Sequence, residues 1–214
     1  MTALVDLRVL ELLCSRLCHE LINPVGAISN GVELLSELGG EPDPEAIGLV
    51  AQSAKSAGGR LQFYRVAYGL AGTAGPELTL AEALALAEGA VVTARIVLDG
   101  PREGPDGARR LGRPATKLLL NLLLLAAEAL TRGGRVGLAL RLEGSGAGLE
   151  VTAEGDDARL TDETLGLLGD VVDVEALSAR NVHAYFTARL AKALGLRFAI
   201  EQKPGVVRFQ MTTP

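Results

Sequence analysis

The sequence predicts an α+β protein in which an N-terminal helical hairpin, residues 1–72, pairs with a second copy into a dimeric four-helix bundle, and an α/β sandwich occupies residues 73–214. Three observations predict it. Two N-terminal stretches carry apolar residues at steps of three and four, helical and strand-like patterns are mixed from about Gly72 onward, and glycine and proline punctuate the joins.

In the first stretch Leu10, Cys14, Leu17, Leu21, Ile28, Val32 and Leu35 form the stripe of an amphipathic helix, interrupted only by a seven-residue jump across Pro24. That stripe is expected to be buried in a bundle. Gly39, Gly40, Pro42 and Asp43 make a turn, and Pro44 suits the start of a second helix, where its missing N–H has no intrahelical partner. From there Ile47, Val50, Ala54, Ala57, Leu61, Tyr64 and Tyr68 alternate three and four in a heptad-like seam. Two such helices bury too little alone, so a homodimer is the economical expectation.

The remainder reads as a helix at 79–90, a strand at 93–98, a loop at 99–112, a long helix at 114–131 and strands at 135–142 and 147–153. After a variable stretch at 154–177 come a helix at 179–194 and a terminal hairpin, 197–203 with 206–212, turned by Pro204-Gly205. The apolar run 118–130 is too short for a membrane span, and Asn121 and Glu128 interrupt it, so it should pack hard against the sheet.

The chemistry concentrates in Cys18-His19-Glu20-Leu21-Ile22-Asn23-Pro24. His19 is turned roughly 160° from both Leu17 and Leu21, so its imidazole stands on the outer face of the helix. A largely neutral imidazole offers a lone pair to a phosphoryl donor and forms an N–P bond labile enough to pass the group on. Glu20 is expected to hydrogen-bond the second ring nitrogen and support the charge that develops, and Asn23 lies one turn on. A His-Glu pair on a helix is by itself an ordinary solvated pair. Pro24 adds weight, because an interior proline costs a helix about 3 kcal/mol and asks for a reason beside the histidine.

His-Glu-x-x-Asn-Pro followed by apolar periodicity resembles the H-box of sensor histidine kinases, and the region beyond Gly72 resembles their Bergerat-like ATP-binding module in outline. The nucleotide boxes are altered. Asn121 holds the first N-box place, but Leu125 stands where a second, magnesium-binding asparagine would be. The Asp-x-Gly-x-Gly box appears as Ala153-Glu154-Gly155-Asp156-Asp157, and the lead into the last helix, Leu177-Ser178-Ala179-Arg180-Asn181-Val182-His183, has no glycine to let phosphates approach. An intact H-box on a degenerate ATPase-like module resembles the ChpT family of histidine phosphotransferases of alphaproteobacteria. The resemblance runs essentially the whole length and is strongest in Leu-Cys-Ser-Arg-Leu-Cys-His-Glu-Leu and Asn-Gly-Val-Glu-Leu-Leu.

This resemblance implies a phosphorelay. The phosphoryl group passes from a receiver-domain aspartate of a hybrid kinase to His19 and on to the aspartate of a response regulator, with Glu20 and Asn23 as polar neighbours. No cofactor is expected on this chain, since magnesium would sit in the receiver's acidic pocket. By helical spacing, docking should use Arg16, Ile22, Asn23, Gly26 and Asn30, opposite polar and aromatic positions of the second helix. Gly26 serves either close approach of a partner or a kink with Pro24. Two other readings use the same residues: an ATP-dependent sensor kinase fragment, and an adaptor that binds receivers without accepting phosphate.

Composition fits without choosing among them. Apolar residues make up 48% and charged residues 22%, net charge is −5, and no basic face with interleaved aromatics points to nucleic acid. The N-terminus lacks the basic-then-apolar order of a signal peptide, so a cytoplasmic protein away from membranes is expected. Cys14 and Cys18, one turn apart, read as buried small apolar residues in preference to a disulfide or a metal site. His183 reads as a surface or capping residue, and Arg102, Arg109, Arg110 and Arg113 as a solvated loop, with a docking patch or relic nucleotide rim as the minor reading.

Overall fold

A computed structural model describes residues 6–37, 43–69, 77–143, 146–169 and 172–212. Gly39, Gly40, Pro42 and the boundary at Gly72 lie outside the described residues. Helix α1, Leu7–Glu37, runs without interruption through Pro24, and α2 spans Pro44–Ala67. Asp43 starts α2 by accepting from Glu45 N at 3.0 Å, with Pro44 as the first helical residue. Glu20 meets Arg60, and a Cβ on Gly31 would meet Val50, so numbers rise on one helix as they fall on the other and the pair is antiparallel.

Both apolar seams divide differently from the expectation. Leu17, Leu21, Ile28 and Leu35 are half-buried, but Leu10 and Val32 are 51% and 50% exposed, and Cys14 and Cys18 are exposed. The expected burial of the cysteines is therefore corrected, because α2 covers a neighbouring face of α1. On α2, Ile47 and Leu61 are exposed, whereas Tyr64 is buried and Tyr68 half-buried; both turn inward against the second half of the chain.

Beyond the hairpin come β1 (Leu78–Thr79), α3 (Leu80–Val91), β2 (Ile96–Asp99), α4 (Gly104–Gly107), β3 (Arg110–Leu111), α5 (Arg113–Glu128), β4 (Gly134–Glu143) and β5 (Gly146–Glu154). They are followed by α6 (Asp162–Leu167), a 3₁₀ turn (Val174–Ala176), α7 (Val182–Ala193), β6 (Arg197–Lys203) and β7 (Val206–Thr212). Five strands form one sheet in the order β2-β4-β5-β7-β6, parallel only between β2 and β4. β1 and β3 make a separate two-stranded ribbon.

Alternation along the strands selects the buried face. Val136, Leu138, Val151, Ala153, Val207 and Phe209 point into the core, where α5 supplies an unbroken run of buried residues from Ala115 to Ala127. A helix apolar on most sides needs cover on most sides, and α2, α3, α7 and the sheet provide it. The segment at 99–112, expected as a loop, holds α4 and β3; Arg102 is spent on the Leu98 carbonyl and Glu88, and Arg110 on the Glu77 carbonyl. The last helix begins at Val182 rather than 179, because Ser178–Asn181 close a turn in which Ser178 N donates to Asn181 Oδ1 at 2.7 Å. α2 and α3 cross at glycines: a Cβ on Gly89 would lie 2.6 Å from the Gly59 carbonyl carbon.

Candidate functional site

Around α1 the side chains sort into three faces. Leu13, Leu17, Glu20 and Gly31 turn toward α2, the apolar residues Leu7, Leu10, Val25 and Val32 are largely exposed, and His19, Asn23, Gly26 and Asn30 form a third, polar strip. His19 is exposed, and among the described residues its imidazole has no hydrogen-bond partner. It stands with Glu20 on a ridge between two clefts. One, about 460 Å³, lies against α2 and is lined by Asn23, Pro24, Ser53, Ser56 and Arg60; the other, about 920 Å³, faces Thr161, Glu163, Ser178 and Arg180 of the second half.

The expected Glu20–imidazole bond is not the one present. Glu20 is ion-paired with Arg60, across the hairpin, because its position on α1 aims it at α2. Ile22 is 65% exposed, Asn23 and Asn30 are exposed, and Gly26 has open space where a Cβ would stand. Arg16 corrects the docking set: it is only 9% exposed, donates to the Arg180 carbonyl at 3.1 Å and is ion-paired with Glu128. It fastens α1 to the second half. The aromatic positions expected opposite the docking face are likewise interior, with Phe63 and Tyr64 buried.

His183 is neither on the surface nor a cap. It is fully buried, its Nε2 at 3.1 Å from the Asn121 carbonyl and its Nδ1 at 3.0 Å from Tyr68 Oη. A carbonyl only accepts, so Nε2 carries the proton and Tyr68 donates to Nδ1. Burial pushes His183 down to about 3 and holds the Tyr68 hydroxyl protonated, so both groups are neutral partners at pH 7.

Asn121 and Lys117 serve the same joint. Asn121, fully buried, donates to the Ala67 and Lys117 carbonyls at 3.0 and 2.8 Å, and Lys117 Nζ donates to the Tyr68 and Gly69 carbonyls at 3.2 and 3.1 Å. The bonds to Ala67, Tyr68 and Gly69 satisfy carbonyls left open at the C-terminal end of α2. Leu125 and Ala153, two of the residues that depart from the kinase pattern, are core residues.

Sequence reasoning missed Arg60, Ser53 and Ser56, whose only signal was their place on the polar side of the second helix pattern. Among the described residues, no cluster of three or more His, Cys, Asp or Glu side chains is arranged for a metal, and no helix is long and apolar enough to cross a membrane.

A family model described as the histidine phosphotransferase C-terminal domain matches residues 80–205. Over 192 residues, 88% of each chain, the sequence is 40% identical to protein phosphotransferase ChpT of Brucella abortus (strain 2308). A solved structure described as a bacterial phosphotransferase aligns over 98% of both chains with a TM-score of 0.77 at 32% identity.

Proposed function

The chain belongs to the ChpT-type histidine phosphotransferases, and from that premise we propose that His19 relays a phosphoryl group between receiver-domain aspartates of a hybrid kinase and of response regulators. The observation that carries this reading is the unpartnered, exposed imidazole on the ridge between two clefts. A ring nitrogen of neutral His19 attacks the phosphorus of the donor's aspartyl phosphate; the N–P bond forms, the P–O bond breaks and the donor carboxylate leaves. In the return step an acceptor carboxylate oxygen attacks, and the electrons of the N–P bond go back to the imidazole. Ile22, Asn23, Gly26 and Asn30 form the docking strip, and Gly26 lets the partner backbone approach.

The phosphoryl group comes from a partner rather than from ATP. Support lies in Leu125 and Ala153, whose apolar side chains fill the core where a magnesium ligand and an adenine reader would be required. The chain acts as a homodimer, closing a four-helix bundle over the uncovered faces of α1 and α2. Leu7, Leu10, Val25 and Val32 are each about half exposed or more, and Ile47 and Leu61 continue the apolar surface on α2. Burying the exposed part of each contributes roughly 1 kcal/mol.

Incubation with a phosphorylated receiver domain tests the relay. Wild type takes up the phosphoryl group, His19→Ala does not, and Glu20→Ala slows uptake roughly 10–100-fold while changing receiver Kd less. Transfer to His19→Ala at the wild-type rate contradicts the reading, as does self-labelling of the wild type by ATP.

A further inference from the structure

Among the described residues, the cleft between α1 and α2 beside His19 is lined by one guanidinium, that of Arg60. Arg60 pairs with Glu20, both side chains are partly buried at 25% and 32% exposure, and Ser53, Ser56 and Asn23 complete a polar lining. The Arg60 Nε is buried with no hydrogen-bond partner among the described residues, where a guanidinium with five donors is engaged by a single carboxylate. Unused donors, a positive charge and neighbouring hydroxyls beside His19 are the chemistry that recognises a phosphoryl anion.

We propose that Arg60 receives the phosphoryl group once His19 carries it, exchanging the Glu20 carboxylate for the phosphoryl oxygens. The inference rests on the reading of His19 as the phosphoacceptor and assigns the residue that holds the transferred group there. The exchange is favourable because a phosphoryl group brings close to two negative charges against one and matches the guanidinium fork in two parallel bonds. Glu20, released one residue from the modified ring, then accepts the hydrogen bond of the remaining imidazole N–H. The resting ion pair thus stores the carboxylate that sequence reasoning placed on the imidazole, and phosphorylation delivers it.

The test reads the ionisation of the phosphoryl group. Full-length protein is phosphorylated with phosphoramidate: an imidazole nitrogen attacks phosphorus, the donor P–N bond breaks, ammonia leaves and the second ring nitrogen keeps its proton. His183, fully buried, is closed to the reagent. The ³¹P shift of the phosphohistidine is then followed with pH. Removing a cation in contact should raise the midpoint by about one pH unit in Arg60→Gln, with Arg60→Lys between it and wild type. A wild-type midpoint in folded, phosphorylated Arg60→Gln overturns the inference and leaves His19 as phosphoacceptor intact; absence of phosphohistidine in the wild type removes both. If Arg60→Gln does not fold, the Arg60 side-chain ¹H–¹⁵N signals of the wild type decide, since they shift on phosphorylation if the exchange occurs and stay in place if it does not.

Discussion

Burial separates the two histidines of this chain. His183 is enclosed between Tyr68 and the Asn121 carbonyl, where burial pushes it down to about 3, whereas His19 stands in solvent with no hydrogen-bond partner among the described residues. In the unfolded chain His183 takes up a proton near its ordinary value of 6.5. Between those two values the unfolded state therefore holds an extra proton, and stability falls as pH drops, by at most about 1.4 kcal/mol per unit. His183→Gln keeps a donor for the Asn121 carbonyl and cannot titrate. It should cost stability at pH 7, with the gap to wild type narrowing as urea unfolding is repeated from pH 7 down to pH 4; parallel profiles contradict the assignment. None of this was legible locally, because the partners of His183 lie 115 and 62 residues away and the surrounding sequence shows only the start of a helix. The outward direction of His19 was legible, since helical spacing alone sets it.

Elements were legible where a local rule forces them. The β6–β7 hairpin has the expected bounds because Pro204 and Gly205, at φ +76°, make a turn between two strand-like runs. The short α4, β3 and α6 were not, because two to six residues carry too little periodicity to show. Whether an apolar face is covered within one chain was equally hidden: the pattern shows a stripe, not its occupant. Glycine shows the same dependence on context. Gly89→Ala drives a Cβ into the Gly59 backbone and should cost about 1–3 kcal/mol, whereas Gly26→Ala meets nothing within 4 Å and should gain about 0.5–1 kcal/mol of helix propensity. Denaturant unfolding of the two variants checks the ranking, and the reverse order contradicts the helix crossing. Leu10→Glu and Val25→Glu place charges on the uncovered face of α1 and should halve the mass seen in sedimentation without unfolding the chain; an unchanged mass removes this face from the bundle.

At the scale of the whole molecule, the C-terminal half of the chain holds the hairpin. Arg8 donates to the carbonyls of Val174, Glu175 and Leu177, Arg16 to that of Arg180, and Lys117 and Asn121 to the last carbonyls of α2. Through these bonds α5 fixes the end of α2 while Arg16 orients the turn of α1 that bears His19. The resemblance foresaw the mixed α+β scaffold but not these bonds, since long-range hydrogen bonds have no signature in a linear motif. The central claim, that this scaffold presents one histidine for phosphate from another protein, is tested most directly by mapping the phosphorylated peptide after incubation with a phosphorylated receiver, under neutral to alkaline handling that preserves N–P bonds. The account predicts phosphate on His19 alone and none after incubation with ATP; phosphate on any other residue, or labelling by ATP without a partner, contradicts it.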